Sequence, residues 1–307
     1  MLSKWSESKV NISKLIEDLR QQFPYDPLTA LIVETVANAI DSGATEINIV
    51  INSSGRRYTI RDNGMGMNKE DFENYHNIAY TTKGRGRTIG FAGVGAKIFL
   101  DRAVQILTET KSINFHAASE WMFEGEALKW RYIEPLGKVR DQGTYVDVVL
   151  AFKEDADKLN KDFILKVIRE NYNAILLGEY GKRSIIVNGE ELRAWIPQTL
   201  NKKELKIKVD AHHVVKCTFM FCKESIREEE FRGIGVVVNG KMVTREWFDQ
   251  HPMNADKITG YIIADHLSSI ITTSKDNFDR KSSSWKKFKS RVAWHFARWL
   301  SDIGVMP

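Results

Sequence analysis

The sequence predicts an α+β protein built from two domains. Three observations point there. A length of 307 residues suits two sizeable cores. The first half sets β-branched strand runs between long helical patterns. The second half is a series of short strands with Asn-Gly turns, closed by one helix. The expected architecture is a mixed sheet with helices on one face over residues 1–180, then a smaller α/β unit over 181–307. Gly178 to Gly181 marks the change.

Taken in order, Asn11 to Phe23 reads as an amphipathic helix stopped by Pro24. Leu28 to Ile40 is a helix apolar nearly all round, which implies burial, and Gly43 supplies its stop. Glu46–Asn52 and Arg57–Arg61 are strands joined by a Ser53-Ser54-Gly55 turn. Asn68 to Ala79 holds a short helix. Ala103–Thr108, Ile113–Ala117, Trp130–Ile133 and Tyr145–Leu150 are strand runs, and Lys161–Leu177 is helical. Beyond it, Ser184–Val187, Leu205–Val209, Val214–Phe221, Gly235–Val238 and Ile258–Ala264 are strands. Asn188-Gly189 and Asn239-Gly240 are their turn signals. Ser283 to Ser301 closes as a helix with Trp285, Phe288, Val292, Phe296 and Trp299 along one side. Its lysines and arginines stand elsewhere, as a solvated face or as a basic, aromatic surface for DNA.

Hydrophobic residues make up 43% and charged residues 28%, as in ordinary globular proteins. No apolar run is long enough to span a membrane and no signal peptide is evident, so cytoplasm is the default. The net charge of +5 permits a nucleic-acid partner without requiring one. Cys217 and Cys222 fall on opposite faces of a strand, which disfavours a local disulfide, and neither they nor His212 and His213 have zinc spacing.

Three segments carry chemistry. In the Leu28–Ile40 helix, Glu34, Asn38 and Asp41 stand at i, i+4 and i+7, so two carboxylates and an amide share one face. Either that face is solvated, or the groups meet a partner such as a magnesium-bound phosphate and a water. Asp62-Asn63-Gly64-Met65-Gly66-Met67 follows a strand. It is either a plain turn or a floor where a flat ligand lies and Asp62 accepts from an exocyclic amine. Gly90-Phe91-Ala92-Gly93-Val94-Gly95-Ala96-Lys97 opens an apolar helix, where backbone N–H groups and the helix dipole favour phosphate. The loop is neither a Walker A motif nor a dinucleotide fingerprint.

In this order and spacing the three segments resemble the GHKL ATPases: gyrase B, the heat-shock ninety chaperones, histidine kinases and MutL. The resemblance rests on Glu34-x-x-x-Asn38-Ala39-x-Asp41, Asp62-x-Gly64-x-Gly66 and Gly90-x-x-Gly93-x-Gly95-x-Lys97, and it covers residues 25 to 150. Gly143-Thr144 is similar to the family's Gly-Thr strand, whose threonine helps hold adenine. The resemblance implies a Bergerat fold that binds ATP and Mg²⁺. Glu34 would activate water and Asn38 would ligate the metal. Asp41, Asp62, Gly64, Gly66, Met67 and Thr144 would line the nucleoside pocket, and Gly90, Gly93, Val94, Gly95, Ala96 and Lys97 would cradle phosphate. The region between Met67 and Ile89 corresponds to the family's lid, and within it Thr81–Arg87 is a cationic, glycine-rich stretch. It either closes over the triphosphate, with Lys83, Arg85 or Arg87 meeting its charge, or is a plain loop.

The second half resembles the transducer domain that follows the ATPase domain in MutL, gyrase B, topoisomerase VI B and the MORC proteins, and which histidine kinases lack. Ile270 to Phe278 resembles the transducer loop whose lysine reaches the γ-phosphate, which makes Lys275 the candidate; a surface lysine in a polar loop is the bland alternative. The family expectation is slow ATP hydrolysis driving dimerisation in a DNA-associated or defence-type machine of MORC or MutL character. A protein-remodelling chaperone and a type IIB topoisomerase subunit are the alternatives. Expected partners are a second copy of the chain, DNA or a separate effector subunit, the chain being either a fragment or a small protein whose effector is another chain.

Overall fold

The computed structural model describes residues 14, 17–18, 25–77, 88–89, 102–124, 127–272 and 274–306. The helix expected at Asn11–Phe23 falls mostly outside them.

In the first half, helix α1 (Pro27–Asp41) leads into strands β1 (Glu46–Asn52) and β2 (Arg57–Asp62), then α2 (Lys69–Tyr75). Strands β3 (Ala103–Lys111), β4 (His116–Glu124), β5 (Ala127–Ile133) and β6 (Gly143–Leu150) follow, then α3 (Lys153–Lys158) and α4 (Lys161–Leu176). With β7 (Ser184–Val187) and β8 (Glu190–Glu191), the strands form one eight-stranded sheet in the order β5-β4-β3-β6-β2-β1-β7-β8. Only β7 lies parallel to its neighbour β1; the other pairs are antiparallel.

Two details depart from expectation. The sheet runs past residue 180, where the change of domain was expected. Ile185 and Val187 are apolar, pair with Ile47 and Ile49, and are buried in the first core. The Asn188-Gly189 turn therefore closes the first sheet, and Asn188 Oδ1 accepts from the Ile51 N–H at 2.9 Å. Ile113, expected in a strand, sits exposed between β3 and β4, where Ser112 N–H bonds Phe115 C=O.

The second sheet contains β9 (Thr199–Lys208), β10 (Val214–Cys222), β11 (Gly233–Val238), β12 (Lys241–Glu246) and β13 (Ile258–Ile263), in the order β12-β11-β13-β10-β9. Helix α5 (Ser283–Asp302) packs on it through Trp285, Phe288, Val292, Phe296, Trp299 and Leu300. This is the stripe the 3.6-residue period marks, each side chain stabilising by about 1.5–3 kcal/mol. Cys217 and Cys222 are both buried and free. Among the described residues, no helix is long and apolar enough to cross a membrane.

The two sheets meet where α4 faces β12. A Cβ on Gly240 would lie 2.5 Å from Ile175 Cδ1, so the hairpin approaches the helix as closely as a glycine allows. Polar contacts flank it: Tyr180 donates to Asp265 at 2.6 Å, and Lys216 pairs with Glu179 at 2.7 Å.

Candidate functional site

α1 is fixed at both ends. Asp26 caps it by accepting from the Leu28 and Thr29 N–H groups at 3.1 and 3.2 Å, with Pro27 at its first position. Arg183 donates to the last-turn carbonyl of Ile40 and to Ala44 C=O, each at 3.1 Å, and Gly43 takes φ +78°. Between the caps the helix is buried on nearly all sides. Thr35 meets the Tyr58 hydroxyl at 2.9 Å, and the Tyr172 hydroxyl donates to Val33 C=O at 2.7 Å.

Glu34 is only 5% exposed in this helix. Its partner comes from the other half of the chain. Lys275, 3% exposed, donates from Nζ to both carboxylate oxygens, at 2.8 and 2.7 Å. The two sequence candidates for chemistry, 241 positions apart, form one buried ion pair. Lys275 holds a left-handed backbone, φ +59°, a conformation that favours glycine and costs a lysine about 1 kcal/mol or more. Its loop is pinched by the Ile271–Phe278 bridge and braced where Phe278 stacks on Trp285 at 5.0 Å. Within it, Lys275 N–H donates to Thr272 C=O at 3.0 Å.

One turn beyond Glu34, Asn38 lies on the same face and is half-buried. Asp41 Oδ1 accepts from the Ile89 N–H at 2.9 Å, so this carboxylate holds the residue that enters the Gly90 loop. Lys83, Gly90, Gly93, Val94, Gly95, Ala96 and Lys97 lie outside the described residues.

Asp62 ends β2 directly opposite Thr144 of β6. Burial pushes its carboxyl up to about 6, against hydrogen bonds from the Gly64 N–H, the Ser42 hydroxyl and the Thr144 backbone that favour the charged form. The Gly64 and Ser42 contacts, 2.8 and 3.3 Å, both fall on Oδ1. Both glycines also serve the chain's own packing. A Cβ on Gly64 would stand 1.9 Å from Ser42 Oγ, and one on Gly66 would stand 2.1 Å from Lys111 C=O, with φ +67°. Met67 N–H donates to Thr110 Oγ1 at 2.8 Å, and Thr110 Oγ1 meets Thr144 Oγ1 at 3.3 Å.

Asp62, Thr144 and Thr110 thus lie in a row across three neighbouring strands. Sequence reasoning missed Thr110 and Ser42. A threonine inside a strand and a serine at a helix end carry no local mark of a site, and only the register brings them to Asp62. Among the described residues, no cluster of histidine, cysteine and carboxylate side chains could hold a metal by itself.

Residues 25–138 match the family model described as histidine kinase-, DNA gyrase B-, and HSP90-like ATPase. The match includes α1, the Asp62 turn and the Gly90 loop. No curated protein matches the chain.

Proposed function

Residues 25–138 belong to the histidine kinase-, gyrase B- and HSP90-like ATPases, and from that premise we propose that the chain hydrolyses ATP, with Glu34 as the base and Lys275 as the group that senses the triphosphate. One observation carries the reading: the buried contact of Lys275 Nζ with both oxygens of Glu34. A catalytic carboxylate enclosed in a helix needs a counter-charge, and the one it has comes from a loop of the second domain. A γ-phosphate is a competing anion for the same ammonium. When Lys275 turns to it, the Glu34 carboxylate is released to accept a proton from water. That water's oxygen forms the new bond to phosphorus as the bond from phosphorus to the β–γ bridging oxygen breaks, and ADP leaves.

Asn38 offers an amide oxygen on the face that Glu34 occupies, a hard donor that fits Mg²⁺. Mg²⁺, when bound there, neutralises phosphate charge. Asp62 accepts from the adenine amine and Thr144 supports it. Gly64 sets this turn against Ser42 at the end of α1, and Gly66 and Met67 hold it against β3. Asp41 fixes the entrance to Gly90, Gly93, Val94, Gly95, Ala96 and Lys97, which cradle phosphate, and Lys83 belongs to the lid.

The output is conformational: ATP binding draws the Lys275 side chain from Glu34 to the γ-phosphate, which couples the transducer-like domain to the nucleotide and drives dimerisation. A DNA-associated machine of MORC or MutL character is favoured over a protein-remodelling chaperone by the outer face of α5. Lys287, Arg291, Trp294 and Arg298 are exposed there at helical spacing. Trp294 is 57% exposed with the Arg298 guanidinium over its ring at 5.7 Å. Cations beside an exposed aromatic suit a phosphate backbone with bases to stack.

ATP turnover and sedimentation, measured for wild type and Glu34→Ala with and without a non-hydrolysable analogue, test the core of this. Nucleotide-dependent dimers, and turnover lost in Glu34→Ala while binding survives, are expected. Failure of adenine nucleotides to bind refutes it. DNA binding that weakens steeply with salt and falls about tenfold in Trp294→Ala supports the DNA assignment; stimulation by unfolded protein instead would favour the chaperone.

A further inference from the structure

Lys241 opens β12 directly after the Asn239-Gly240 turn, and it is 2% exposed. Its ammonium donates to three oxygens: the Tyr25 hydroxyl at 3.1 Å, Met242 C=O at 3.2 Å and Lys275 C=O at 3.2 Å. It also sits 5.3 Å from the Tyr25 ring centroid. Every ammonium proton therefore has an acceptor, yet none of these acceptors is a carboxylate. Enclosing a cation among neutral oxygens is costly compared with an apolar residue. A purely structural strand position has no need of the charge.

The partners give it a use. Lys275 C=O belongs to the residue whose side chain holds Glu34. Tyr25 stands just before the Asp26 cap of α1, and its hydroxyl donates onward to Asn171 Oδ1 at 3.1 Å. Asn171 precedes Tyr172, where α4 departs from helical geometry (φ −131°, ψ 21°) and whose hydroxyl reaches Val33 C=O, next to Glu34. The Lys275 loop, the β12 hairpin and the start of α1 are joined at one ammonium, and the irregular turn of α4 is linked to it through the Tyr25 hydroxyl.

We propose that Lys241 is a positioning residue that pins the backbone of Lys275 to the start of α1, so that the Lys275 side chain can exchange between Glu34 and a γ-phosphate while its main chain stays in place. The proposal rests on the reading of Glu34 and Lys275 given above. Lys241 touches no reacting atom. It acts through Lys275 and adds a second positive charge behind a site that must accept a polyanion.

The test is Lys241→Met, which keeps the stem and removes the ammonium, with Lys241→Arg as the conservative variant and Tyr25→Phe as a second, milder cut of the same link. Two readouts are taken. Without nucleotide, amide exchange at residues 274–278 and 28–33 should rise together by about tenfold in Lys241→Met, less in Tyr25→Phe, while α5 is unchanged. With ATP, kcat should fall by about 10- to 100-fold with little change in KM, and Lys241→Arg should recover part of it. Uniformly faster exchange throughout the second domain with kcat kept, or no change in either readout, overturns the proposal. A wild-type protein that binds no adenine nucleotide sinks the ATPase reading instead, and the exchange arm still decides whether Lys241 links the two segments. If Lys241→Met does not fold, Tyr25→Phe decides by the same pair of readouts.

Discussion

Replacing Lys275 by Met is the most informative single change. Methionine retains the stem and carries the same left-handed backbone cost, so the difference from wild type reports the ammonium alone. Its removal leaves Glu34 buried at 5% exposure with neither carboxylate oxygen paired to a cation. Breaking a buried pair by deleting one partner costs about 3–5 kcal/mol, mostly because the surviving charge is stranded. For a domain of this size, that corresponds to a fall in Tm of about 10 °C or somewhat more. Glu34→Gln in the same background removes the stranded charge, so the double variant should recover most of the loss and leave a deficit of about 1–2 kcal/mol for imperfectly paired polar groups. Urea denaturation of wild type, both single variants and the double variant closes the cycle. A Lys275→Met protein within about 1 kcal/mol of wild type, or a double variant no more stable than Lys275→Met, would refute the buried pair and the exchange mechanism built on it.

Asp62 gives a pH prediction. Its folded value of about 6 lies above the ordinary carboxylate range. An acid raised in this way contributes stability that is present below its unfolded pKa of about 3.9 and is lost as pH rises through about 6. Wild type should therefore lose up to about 3 kcal/mol relative to Asp62→Asn between about pH 4 and 6 and then level off, as melts across pH would reveal. ATP affinity should run the other way, weakening below about pH 6 in wild type and being poor at every pH in Asp62→Asn; a flat difference in the melts contradicts the burial of this carboxyl. Gly66→Ala combines a left-handed backbone with a Cβ at 2.1 Å from Lys111 C=O, which cannot yield as a side chain would. A loss of several kcal/mol is expected on thermal melting, and a variant of wild-type stability would mean that the turn does not lie against β3.

Much of this was legible in the sequence where the signal is local. The stripe Trp285–Phe288–Val292–Phe296–Trp299 follows the helical period, and it is buried as that period requires. Asn68, whose side chain caps α2, and Gly43 at the end of α1 are boundary residues of the kind that sequence rules recognise. What could not be read depends on contacts between distant segments. Ser184–Val187 looks the same as a strand whichever sheet it joins, and its neighbour is chosen by β1. Lys241 reads as an ordinary lysine after an Asn-Gly turn, because its burial comes from Tyr25 and the Lys275 loop. Glu34 and Lys275 were each singled out, but nothing in their own surroundings says that they touch. Thr110 becomes visible only once β3 is in register with β6.

The parallel pairing of β1 with β7 sets a clock on the making of this protein. At ordinary elongation rates, about 7 to 28 seconds separate the emergence of Ile47 from that of its partner Ile185. Through that interval β1 can pair with β2 on one side but keeps its other edge of N–H and C=O groups open, with Ile47 and Ile49 beside it. Such an edge is a template for strand addition by any neighbouring nascent chain. A chain cut at residue 180 would keep that open edge permanently, so a fragment ending there should aggregate where one carried through Glu191 would not.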